Sequence, residues 1–120
     1  MAEHRVASRI VCFVRSPQPF PNPETVQQEV TEWQRSLGEL PLSELGVLLD
    51  WRLVPLETNP DILREVVLRT DALARQFARQ ALLMESSLGV LQANRLSRAH
   101  ETTPVVFTNE AEAHEYVTSR

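Results

Sequence analysis

The side chains of this sequence that could do chemistry fall where short apolar runs give way to polar ones. Arg15 with Ser16, Arg52, Ser86 with Ser87, and Thr108 with Asn109 each follow such a run. Two guanidiniums beside hydroxyls at a helix start can hold a phosphate or carboxylate through charge-assisted hydrogen bonds, reinforced by the helix dipole. Arg15, Arg52, Ser86 and Ser87 are therefore candidate ligand-binding residues for a small anionic ligand, phosphate or nucleotide. The competing reading is that the arginines mark where strands stop and the serines cap a helix. Ser86 or Ser87 is also a candidate phosphorylation site, since negative charge at a helix start is favourable, although plain capping is the simpler reading.

Catalytic groups are harder to assemble. Asp50 has the chemistry of a general base, but a base needs a partner, and the spacing places no histidine beside it. It reads instead as an acceptor of backbone hydrogen bonds where its strand leaves the core. His4, His100 and His114 share no ligand spacing, and Glu110 and His114, one helical turn apart, lack a third or fourth ligand. The one cysteine, Cys12, excludes an internal disulfide and any multi-thiolate site, and its apolar neighbours make it a small buried hydrophobe. Neither a cofactor, a metal nor an enzymatic activity is expected. Trp51, beside Asp50 where the run turns polar, is expected to be partly exposed, and the pair is a candidate docking point for a protein partner.

These residues need a scaffold, and four strand-then-helix units supply one. Residues 9–15 form an apolar, β-branched run bounded by charge, followed by the non-helical connector Ser16-Pro17-Gln18-Pro19-Phe20-Pro21. Asn22-Pro23-Glu24 then gives a cap, a proline at the first helical position and an acid in the first turn. Val26, Val30, Trp33 and Leu37 paint one apolar stripe until Gly38. The second unit runs from a strand over 46–54 to the start Asn59-Pro60-Asp61, with Ile62, Val66, Leu73 and Phe77 as its stripe and Arg64, Arg75 and Arg79 on a solvated, ion-paired face. Arg15 and Arg52, Asn22 and Asn59, and Pro23 and Pro60 repeat at the same offset, as two βα units with shared capping chemistry would.

A third strand at Ala81-Leu82-Leu83-Met84 leads to a helix carrying Leu88, Leu91 and Leu96. A fourth strand over 104–108 leads to a closing helix with Ala113, Tyr116 and Val117 inward. Such alternation predicts an α/β fold with one four-stranded, mostly parallel sheet and four alternating helices (βαβαβαβα). Residues 1–8 are read as an N-terminal tail and 9–118 as a single domain.

Composition sets outer limits. The net charge of -4 gives no global field for nucleic acid or an anionic membrane, so neither is expected as a partner. All twelve Lys-or-Arg positions are arginine, which a GC-rich genome explains more simply than selection for anion recognition. The apolar runs are far shorter than the ~20 residues that span a bilayer, and the start lacks the apolar stretch of a signal peptide. A bacterial cytoplasmic protein is the expectation.

Gly46-Val-Leu-Leu-Asp-Trp-Arg52, a helix ending Ala74-Arg-Gln-Phe77, then Ala81-Leu-Leu-Met84 and Phe107-Thr-Asn-Glu-Ala-Glu-Ala113 together resemble the SpoIIAA-like branch of the STAS (anti-sigma-factor antagonist) superfamily. The likeness covers residues 44–118. It implies a non-catalytic regulatory or scaffolding module that docks a protein partner or a second copy of itself. Two features depart from the pattern. The superfamily opens with two strands before the Asp-bearing one, which here only residues 5–15 could supply, ahead of a full helix. Its phospho-switching members also carry Asp-Ser-Ser-Gly where this chain has Thr58-Asn59-Pro60-Asp61, so no phosphorylatable serine is carried over.

Overall fold

The structure, a computed structural model, describes residues 2–7, 10–16, 18–54, 58–99 and 105–118. Its elements follow in the order β1 (Ala2–Ala7), β2 (Ile10–Arg15), α1 (Pro23–Leu37), a 3-10 turn at Leu42–Glu44, β3 (Gly46–Asp50), α2 (Pro60–Ala74), β4 (Arg79–Leu83), α3 (Ser87–Ala99), β5 (Val106–Phe107) and α4 (Glu110–Thr118). The four expected strands are β2 to β5, parallel and side by side in chain order. A fifth joins them. Residues 1–8 were expected to be a tail, but Ala2–Ala7 pairs antiparallel with β2 as an edge strand. Its sequence shows no apolar run because an edge strand can be held by backbone hydrogen bonds to a single neighbour.

Both proline-led helices start as their sequences dictate. Asn22 Oδ1 accepts from the Thr25 N–H at 2.9 Å, and Asn59 Oδ1 accepts from the Asp61 and Ile62 N–H groups. Gly38 ends α1 at a φ of 57°, a left-handed conformation that a side chain would strain.

Strand alternation divides the core in two. Val11, Phe13, Val47 and Leu49 face α1 and α2, meeting Val30, Trp33, Leu37 and Leu73, with Phe13 stacked on Trp33 at 5.2 Å. Ile10, Leu48, Ala81 and Leu83 face the other way and are covered by Ala113 and Val117 of α4. A third cluster of Phe20, Val26, Ile62 and Val66 seals the gap between α1 and α2, with Trp51 packed against it. Gly46 is what lets α4 lie so close. A Cβ there would stand 2.4 Å from the Val117 carbonyl oxygen.

The third helix leaves leucines exposed to solvent. Of the leucines that the sequence places on it, Leu88 and Leu91 are 60% and 51% exposed, and the side chain of Leu96 lies outside the described residues. Arg79, read as part of the second helix, opens β4 instead, with its guanidinium over the Tyr116 ring.

Candidate functional site at the carboxyl edge of the sheet

Parallel strands bring their carboxyl ends to one edge, where loops and helix starts gather and where open α/β sheets bind ligands. Val14, Asp50, Leu83 and Phe107 stand level across that edge. Every residue picked out from the sequence as a site candidate therefore lies at this edge, just past or on its strand end. Their chemistry differs from the expectation, and the register explains how.

Because Val14 opposes Asp50, Arg15 is level with Trp51 and not with Arg52. The repeat offset in the sequence is thus one residue out of step with the pairing in space, and a one-residue step moves a side chain to the opposite face of the sheet. Arg15 shares its face with Val11 and Phe13, under α1, and is 2% exposed. Its Nε lies 2.8 Å from Glu29 Oε2 on α1, its Nη1 donates to the Ser16 carbonyl and hydroxyl oxygens, and its guanidinium carbon sits 4.3 Å from the centre of the Phe20 ring. Burial lifts the Glu29 carboxyl above the usual glutamate value, and the attraction of Arg15 offsets this only in part. Arg15 pins the end of β2 to α1.

Arg52 belongs to the other face. Its Nε and Nη2 form a two-pronged bond to the carboxylate of Asp50, at 2.9 and 2.7 Å, and Nη2 is also 3.6 Å from Glu110 on α4. Asp50 accepts from the Arg52 backbone N–H as well, at 3.2 Å. Burial alone would raise the Asp50 carboxyl, but these bonds and the charge of Arg52 outweigh it and hold it below the ordinary 3.8. Asp50 is accordingly a committed anion at neutral pH, engaged by a cation that will not accept a proton, which is a poor arrangement for a general base. The sequence reading of Asp50 as a backbone acceptor is correct and incomplete. Its main partner is the Arg52 side chain.

The charged row continues to His114, whose Nε2 is 3.9 Å from Glu110. No group of three or more His, Cys, Asp or Glu among the described residues is arranged to hold a metal ion.

Ser86 caps α3, its Oγ accepting from the Gly89 N–H at 3.2 Å, and Ser87 is the exposed first residue of that helix. Trp51 is half-buried, wedged between the two clusters on the α1 and α2 side, with its backbone N–H donating to the Leu83 carbonyl. Sequence reasoning missed one of the two apolar side chains that protrude here. Leu53 is 59% exposed, because the second strand, expected to run to Val54, stops at Asp50, where the carboxylate folds the chain back through Arg52. A carboxylate two residues before an N–H, the signature of an Asx turn, was the available signal.

Chemically, this edge is neutralised from within. Both candidate guanidiniums already hold carboxylates, while Leu53 and Leu88 are left facing outward beside them. Comparison with protein-family models, with curated proteins and with solved structures finds no match to this chain.

Proposed function

We propose that this chain is a non-catalytic regulatory or scaffolding module that binds a protein partner at the carboxyl edge of its sheet, around Trp51, Leu53 and the start of α3. The carrying observation is the combination just described: internally paired charges next to exposed leucines at 59% and 60%. A paired edge gives little to a free anion, which must displace a carboxylate held at 2.7 Å, whereas exposed apolar side chains rimmed by satisfied polar groups suit a protein surface. Resemblance to the SpoIIAA-like branch of the STAS superfamily supports the same reading. The hairpin of β1 and β2 ahead of the Asp-bearing β3 adds to that support, although α1 intervenes.

No helix among the described residues is long and apolar enough to cross a membrane. A bacterial cytoplasmic setting belongs to the proposal, as does the absence of catalysis.

The test is site-specific photocrosslinking in the native cells, with the probe at Leu53 or, as control, at exposed Glu32 on α1. A discrete adduct of one mass from Leu53 and none from Glu32 is the expected result. If Leu53 yields no adduct under any growth condition, the reading fails.

A further inference from the structure

The helices differ sharply in charge. Acids lie on α1 (Glu24, Glu29, Glu32), on α2 (Asp61, Glu65, Asp71) and on α4 (Glu110, Glu112, Glu115), as expected in a chain of net charge -4. Helix α3, with the sequence SLGVLQANRLSRA, has no acid and two arginines, Arg95 and Arg98. The basic residue in its last turn, Arg98, is ordinary complementation of the helix dipole. Its placement relative to the leucines is less ordinary.

Leu88, Leu91, Arg95 and Arg98 are separated by three, four and three positions, the spacing that keeps side chains on one narrow stripe of a helix. All four are exposed. The stripe starts at the carboxyl edge with two leucines and continues down the helix as two cations, neither of which has an ion-pair partner among the described residues. Within this chain nothing described covers it.

We infer that this stripe is a docking face for an acidic amphipathic helix of a partner protein, its leucines taking the partner's apolar ridge and Arg95 and Arg98 its carboxylates. The inference rests on the proposed partner-binding function and adds where the partner lies and what its chemistry is. Charge complementarity selects the occupant. A positive, apolar stripe on an otherwise acidic molecule attracts a surface unlike most of its own, and helix-in-groove recognition reads leucines at this spacing.

Two synthetic helical peptides with the same leucine pattern, one flanked by glutamates and one by lysines, are the probes, with binding read by fluorescence anisotropy. The glutamate peptide should bind at least tenfold tighter than the lysine peptide, with an affinity that falls as salt is added. Arg95→Glu with Arg98→Glu should reverse that preference, and Leu88→Gln with Leu91→Gln should weaken the glutamate peptide at least tenfold while leaving thermal unfolding unchanged, because all four positions are exposed. Equal affinity for the two peptides, or binding of neither, would overturn the inference. So would a wild-type dimer that the leucine variant converts to monomer, since a second copy would then be the occupant. Failure here is separable from failure of the proposed function, because an adduct at Leu53 that persists in both α3 variants would keep the module and discard this face.

Discussion

Arg15→Met should destabilise the fold by about 1.5–3 kcal/mol at neutral pH, because it takes from the Glu29 carboxylate on α1 the charged donor that stands 2.8 Å away. The pH dependence identifies the cause. Glu29 already titrates above its ordinary 4.5 through burial, so its folded form holds a proton more tightly than the unfolded chain does. A group shifted in this direction favours the fold most below its unfolded value, and that contribution is lost as pH rises through the folded value. Without Arg15 the shift grows, so the variant's deficit should be largest near neutrality and shrink as the medium is acidified. Glu29→Leu added to Arg15→Met should restore most of the loss, since replacing both members of a buried pair is often nearly neutral. Denaturant unfolding of the wild type, the single and the double variant across pH measures all of this. A single-variant loss under about 1 kcal/mol, the scale of an exposed ion pair, would show that Arg15 is free at the edge and not committed to α1.

Gly46→Ala should cost about 1–3 kcal/mol and act through α4. The added methyl would meet the Val117 carbonyl oxygen at 2.4 Å and its Cβ at 3.0 Å, and a backbone oxygen cannot swing aside as a side chain tip can. Helix α4 must therefore lift, loosening Ala113 and Val117 from Leu48, Ala81 and Leu83. Amide hydrogen exchange should show α4 losing protection while α1 and α2, which pack on the opposite face, keep theirs. Uniform loss of protection, or none in α4, would contradict this account of the packing.

Much of this fold was legible in the sequence because strong local signals agree with the burial they serve. The stripe Val26, Val30, Trp33 and Leu37 is buried as its period requires, and Asn22 and Asn59 cap their helices as the Asn-Pro pairs imply. What escaped lacks a local signal. β1 is polar and visible only through its pairing with β2. The third helix has an apolar period in Leu88 and Leu91, yet period alone cannot say whether a face meets the protein's own core or the solvent. The site was legible as a location and misread as chemistry. Arg15 and Arg52 look equivalent at their shared offset, but the pairing register sets them on opposite faces with different carboxylates. Glu29, which decides what Arg15 can do, comes from a helix whose approach no linear spacing specifies, whereas Arg52 is held by Asp50, only two positions away.

The central claim is that the charges at the carboxyl edge are spent on each other, leaving that edge to a protein surface and not to an anion. Thermal unfolding of the wild-type chain in increasing phosphate, and separately in nucleotide, tests it most directly, because a ligand bound to the native state must raise the transition by mass action. The account predicts an unchanged transition up to millimolar ligand. A saturable rise that disappears on substitution of Arg52 by Gln would contradict it.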